Sequence, residues 1–329
     1  MTHVGLPNLG NTCYLNATLQ MLSHCRGFVR CCIASKGASD ALSAEMRRIM
    51  VAMWSGNAAD ACPSGLLRAI AGRQLLDVHR QNDAHELLCL LVSELVTPLR
   101  APRPTSPFPP GVDGSWAAAL WPLRPDRGEV SPFHGQIAHR TRCTACGDVS
   151  FSDDVFTTLS LALARRASTA DQLLSAHFDD EVLPGRRCDA CKRVCDAVRS
   201  SALWRAPAVL VLCFKRFVDP FTVSREPITV TKRLRTAAIT AQGSPAAAAH
   251  ATQRYRVAAV VSHFGSQQGG HYVAAARCVD DTWRVFDDSN VVVLPDGECS
   301  AGLRREATYM AAYELLLAAN KAYGAPLPR

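Results

Sequence analysis

Apolar residues recur three and four positions apart through the first hundred residues; beyond a proline-rich break they alternate or run together. Residues 13–26, opening CYLNATLQML, have the spacing of a helix. Residues 40–54 place Leu42, Met46, Ile49 and Met53 on one helical face. In 83–97 the face is Leu87, Leu88, Leu91 and Leu95, with Asp83 and Glu86 as a capping-box pattern and Pro98 as the stop. The stretch 101–114, APRPTSPFPPGVDG, carries five prolines and reads as a linker. Six later runs, 133–143, 155–163, 207–217, 255–264, 270–279 and 282–289, have the β-branched, alternating or continuous apolar texture of strands. Residues 241–253 are low-complexity and predict a surface loop, and no internal repeat is present. Helices first and strands afterwards predict an α+β protein.

The 329 residues, 48% hydrophobic and 20% charged, suffice for a sizeable core and exclude a disordered chain. The net charge of +7 is carried mostly by arginine, with lysine only at 36, 192, 215, 232 and 321. No dense basic tract marks a nucleic-acid partner. The start, MTHVGLPNLG, has no apolar signal region, and no run is long enough to span a membrane. A cytoplasmic or nuclear, non-membrane protein is therefore expected, and its 14 cysteines point to metal or catalysis rather than disulfides.

Two cysteine pairs share one spacing: CTAC gives Cys143 and Cys146, and CDAC gives Cys188 and Cys191, with 41 residues between the pairs. Each turn sets two thiolates on one side of a cation, and together they complete a closed four-cysteine set of the structural zinc type, one ion per chain. The alternative is four buried free thiols. Gly147 and Gly185 suit the tight turns of such knuckles, strands must fill the gap, and Cys195 is surplus to the set.

Asn8, Gly10, Asn11 and Thr12 lead directly into Cys13. A cysteine at a helix start is surrounded by unpaired backbone N–H groups that favour its thiolate, and the same groups suit an oxyanion. Alone, Cys13 fits a buried helix cysteine as well. Near the other end, GSQQGGHYVAAARCVDDTWRVFDDSNV places His271 at the opening of one strand and Asp287 and Asp288 at the close of the next. Adjacent strands would bring base and orienting carboxylate to one end of a sheet, with Gly269 and Gly270 leaving the approach to His271 open.

These segments resemble the ubiquitin-specific protease family of deubiquitinating cysteine peptidases. GLPNLGNTCYLNATLQ is similar to its Cys box, and YRVAAVVSHFGSQQGGHYVAAAR with WRVFDDSNV to its His box. QNDAHELL (81–88), FHGQIAHRTRCTACGDVSFSDDVFTTLSLAL and LVLCFKRF resemble the motifs between them, so the likeness runs from about residue 4 to 318. It implies a papain-like, hand-shaped catalytic domain: a helical thumb over 1–100, the linker over 101–129, zinc-bearing fingers over 130–215 and a palm over 216–329. It implies that Cys13 is the nucleophile, His271 the general base and Asp287 the orienting group, with Asp288 a second candidate for that role. Asn8 matches the side-chain oxyanion donor. Gln81 and Asp83 match residues lining the channel for the ubiquitin tail, beside Gly269 and Gly270. The implied partners are ubiquitin and ubiquitinated proteins, met by a monomer. Asn82 and Leu88, and Ala17 and Thr18, depart from the family's commoner residues without touching the triad. Two other functions stay open: a peptidase for another ubiquitin-like modifier, and a catalytically silent ubiquitin-binding scaffold.

The remaining candidates read as structural. His263 suits a loop-ordering role, His85 helix packing, and His139 and His177 show no metal spacing. Phe214 and Phe217 suit the palm core, and Asp153 and Asp154 a solvated turn or a ubiquitin contact.

Overall fold

The computed structural model describes residues 3–34, 40–95, 132–163, 169–219, 222–240, 254–266, 269–295 and 305–316. The linker expected over 101–129 and the whole of the 241–253 loop lie outside the described residues.

Among the described residues, five helices come first: α1 (Cys13–Ser23), α2 (Arg26–Ala34), α3 (Ala41–Ser55), α4 (Ser64–Gly72) and α5 (Ala84–Leu95). The helix expected over 13–26 is broken after Ser23, where His24 and Cys25 close tight turns onto Met21 and Leu22 before α2 begins. α3 has chemical stops at both ends. The Asp40 carboxylate accepts from Ser43 N–H, and Gly56 closes the helix at φ 81°. Every residue of α1 is buried, so this helix is enclosed on all sides.

The described strands form two sheets. The smaller has the order β2-β1-β5-β4, from β1 (Gly135–Cys143), β2 (Val149–Phe156), β4 (Glu181–Arg187) and β5 (Val194–Arg205). The larger runs β11-β10-β9-β8-β12-β6-β3, with β7 (Arg233–Leu234) paired to β8. Its strands are β3 (Thr158–Ala162), β6 (Val209–Lys215), β8 (Arg254–Ser266), β9 (Gly269–Arg277), β10 (Trp283–Asp287), β11 (Asn290–Val293) and β12 (Thr308–Leu316). All its pairs are antiparallel except β3 with β6. A short helix, α6 (Ala170–His177), starts with a complete capping box between Thr169 and Gln172.

The division expected at residue 215 does not follow the sheets. β3 and β6 fall inside 130–215 yet belong to the larger sheet. β6 shows why: Val209, Val211 and Cys213 pack with the helices, whereas Leu210, Leu212 and Phe214 pack in the second core on the other face. A strand covered on both faces needs a continuous apolar run, which VLVLCF supplies. Among the described residues, no helix is long and apolar enough to cross a membrane.

Candidate active site and a four-cysteine cluster

The segment before α1 is fastened to the turn after β10. A Cβ on Gly5 would sit 2.4 Å from the Ser289 carbonyl oxygen, so only glycine passes there. Leu6 N–H donates to the Asp288 carbonyl at 2.9 Å. The Asn8 side-chain oxygen accepts from Gly10 N–H at 3.0 Å, from Thr12 N–H at 3.2 Å and from the Thr12 hydroxyl at 3.3 Å. The polar residues ahead of the helix thus satisfy one another around a loop with left-handed backbone at Gly10 and Asn11.

Cys13 opens α1 and is buried. Burial pushes its thiol up; backbone N–H groups of Tyr272, Tyr14 and Cys13 itself oppose that push, and Asp288 adds to it. The thiolate expected from the helix start is therefore not held in this state, because desolvation outweighs the donors. The Tyr272 donor matters for geometry, since it is the residue after His271 and brings β9 against the sulfur.

Phe286 pairs with Ala274 across β10 and β9, which puts Asp287 and His271 at the same end of the sheet. His271 Nε2 lies 2.6 Å from Asp287 Oδ1, and both side chains are half-exposed. The neighbouring aspartate has a different partner set. Asp288, at φ 51°, accepts from Asn8 Nδ2 and from Asn16 Nδ2, each at 2.8 Å. Two consecutive carboxylates therefore divide the work: one orients the imidazole and the other ties the loop and α1 to the strand end. Asn16 escaped the sequence reading; its signal is an amide three residues after Cys13 on an otherwise enclosed helix, where an unpaired amide would be costly.

Gln81 Oε1 accepts from Gly270 N–H at 2.8 Å, joining the segment before α5 to the β8–β9 hairpin. Asp83 is engaged internally. One oxygen accepts from His85 and Glu86 N–H at 2.7 and 3.0 Å, and the other from the Tyr309 hydroxyl at 2.5 Å and Tyr272 at 3.5 Å. Tyr309 had no signal in the sequence, because its strand was not anticipated. His263 is buried beneath the hairpin against Tyr272, with ring centres 4.5 Å apart, and burial pushes its pKa down to about 4. A Cβ on Gly270 would fall 2.2 Å from His263 Nε2. His85 bonds Thr158 at 2.9 Å, while His139 lies between Ser201 and Asp154 at 2.8 and 3.0 Å. Asp153 and Asp154 are strand residues of β2, not a turn.

At the far end of the smaller sheet, the sulfurs of Cys143, Cys146, Cys188 and Cys191 all lie within 4.8 Å of one another. The two turns are alike. Gly147 N–H donates to the Cys143 carbonyl and Lys192 N–H to that of Cys188, and both residues are left-handed, at φ 76° and 59°. Lys192 thus takes the place expected of Gly185, which instead sits at φ 64° where β4 slips register between Leu183 and Arg186. Four soft thiol donors on two matched turns are the chemistry of a closed, tetrahedral metal site.

A family model described as ubiquitin carboxyl-terminal hydrolase matches residues 4–316. Ubiquitin carboxyl-terminal hydrolase 21 of Homo sapiens is 27% identical over 91% of the chain, and Usp2 of Drosophila melanogaster 28% over 94%. The chain spans 60% of the length of the first and 34% of the second. The solved SAGA module containing Ubp8 bound to ubiquitin aldehyde superposes with a TM-score of 0.72 at 20% identity, covering 95% of this chain and 69% of that one. That likeness establishes the fold.

Proposed function

The chain belongs to the ubiquitin carboxyl-terminal hydrolase family, and from that premise we propose that it is a thiol-dependent deubiquitinase cleaving the thioester, isopeptide or peptide bond after the C-terminal glycine of ubiquitin. The observation that carries this reading is the 2.6 Å His271–Asp287 pair at the strand ends that meet the head of α1, where Cys13 sits. Asp287 takes the Nε2–H and leaves Nδ1 to the thiol. Burial disfavours an isolated Cys13 thiolate, so the anion forms as His271 takes its proton, giving a thiolate–imidazolium pair. The sulfur attacks the glycine carbonyl. Asn8 Nδ2 carries two hydrogens; one is held by Asp288, and the other, with backbone N–H at the start of α1, meets the oxyanion. His271 protonates the leaving amine, and water then releases ubiquitin from the thioester.

The helices form the thumb, the smaller sheet the fingers and the larger sheet the palm. Gln81, Gly269 and Gly270 flank the channel for the ubiquitin tail. Asp83 serves that channel by fixing Tyr272 and Tyr309 rather than by reaching out as a free carboxylate. Cys143, Cys146, Cys188 and Cys191 fit zinc, which when bound supplies a cross-link between the β1–β2 and β4–β5 turns. The protein works as a monomer on ubiquitin and ubiquitinated proteins.

C-terminal fluorogenic substrates made with ubiquitin and with other ubiquitin-like modifiers test the assignment. Ubiquitin is the preferred substrate on this account. Turnover only of another modifier overturns the substrate, and no turnover of any overturns the enzyme.

A further inference from the structure

Cys195 is surplus to the four-sulfur set, yet its sulfur lies 3.3 Å from that of Cys143. In the β1–β5 ladder Cys143 faces Ala197, so Cys195, two residues away, points to the same side. A Thr144 N–H bond to the Asp196 carbonyl at 3.1 Å holds this register. A cavity of about 40 Å³ opens on the pair, lined by Cys143, Cys188 and Cys195 with Asp148, Arg186 and Arg187. The opening and the half-exposed Cys195 thiol give a small oxidant access to the sulfur. With the four ligand sulfurs held by metal, Cys195 is the thiol at this site left free to react.

We propose that Cys195 is a peroxide-oxidised modification site whose disulfide with Cys143 opens the metal centre. The inference rests on the zinc reading above. The Cys195 sulfur attacks a peroxide oxygen: an S–O bond forms, the O–O bond breaks and water leaves, giving a sulfenic acid. The Cys143 thiolate then attacks that sulfur. An S–S bond forms, the S–O bond breaks, and with one proton from solvent a second water leaves. Two sulfurs lose one electron each, hydrogen peroxide is reduced to two waters, and zinc loses one of four ligands. A thiol reductant with zinc reverses the change.

The test uses the full zinc-loaded chain with hydrogen peroxide, reading zinc release with a chromophoric chelator and disulfides by non-reducing peptide mapping. Wild type releases its zinc as the Cys143–Cys195 linkage appears, and Cys195→Ser, which keeps its zinc beforehand, releases it at least about tenfold more slowly. Equal release by Cys195→Ser, or a disulfide joining other members of the cluster, overturns the inference while leaving the zinc reading intact. A Cys195→Ser protein that purifies without zinc also overturns it, because Cys195 is then a ligand. Wild type that purifies without zinc overturns the metal reading and this inference with it.

Discussion

His24 ties the end of the nucleophile helix to the strands that bear the other two catalytic candidates. Its Nδ1–H donates to the Gln20 carbonyl at 2.7 Å, Nε2 faces the Cys278 thiol at 3.8 Å, and the ring packs 5.1 Å from that of Phe286, next to Asp287. Burial pushes its pKa down from 6.5 to about 4, so the folded protein keeps it neutral. The unfolded chain binds the proton more readily. Stability from this group is therefore complete above pH 6.5 and is lost as pH falls toward 4. Linkage over that interval gives a loss of about 2 kcal/mol at pH 5 and about 3 kcal/mol at pH 4 from His24 alone. Urea unfolding at pH 7.5 and pH 5 measures it, comparing wild type with His24→Phe, which keeps an aromatic ring without a titrating group. Subtracting the pH dependence of the variant removes every other titration. A difference of about 2 kcal/mol is expected; a difference below about 0.5 kcal/mol refutes the enclosed, neutral histidine at this junction.

Further outcomes follow from the hairpin, the two aspartates and the metal. Gly270→Ala drives a Cβ against His263 and lowers kcat/KM for ubiquitin hydrolysis by about a hundredfold, whereas Gly269→Ala, whose Cβ meets nothing nearer than 3.9 Å, leaves the fold's thermal stability unchanged. Asp287→Ala lowers kcat by about ten-thousandfold through loss of imidazole orientation. Asp288→Ala lowers it by about ten- to a hundredfold by freeing Asn8 and Asn16, and equal losses in the two variants contradict the division of roles. Freshly purified protein carries about one zinc per chain by metal analysis. Chelation weakens ubiquitin binding and exposes amides of the smaller sheet to hydrogen exchange while α1 stays protected.

Long periodic helices and strands with a clear apolar pattern were legible in the sequence. Leu42, Met46, Ile49 and Met53 are buried on α3 as their spacing implied; the run at 207–217 contains β6, and those at 255–264 and 270–279 overlap most of β8 and β9. β12 was not anticipated because TYMAAYELL is rich in helix formers; it is a strand because β6 and β8 flank it on both sides. β4 is almost wholly exposed and β5 mostly half-buried, so neither shows a core pattern, and β5 is placed by pairing with the distant β1. The cysteine spacing revealed the cluster, but not that Lys192 adopts the left-handed turn or that Cys195 reaches Cys143. Adjacent residues such as Asp287 and Asp288 point different ways at a strand end, so only the register of β10 against β9 separates them. Tertiary contacts likewise set the state of Cys13, whose helix start favours the anion while its burial disfavours it.

The central claim is that Cys13 is a nucleophile presented to the C-terminus of ubiquitin and activated by His271. The direct measurement is covalent capture by ubiquitin carrying an electrophile in place of its last glycine, with the modified residue located by mass spectrometry. Stoichiometric labelling at Cys13, abolished in Cys13→Ala and strongly slowed in His271→Ala, is the predicted result. Wild-type protein that is folded and metal-loaded yet stays unlabelled, or is labelled at another cysteine, contradicts the account.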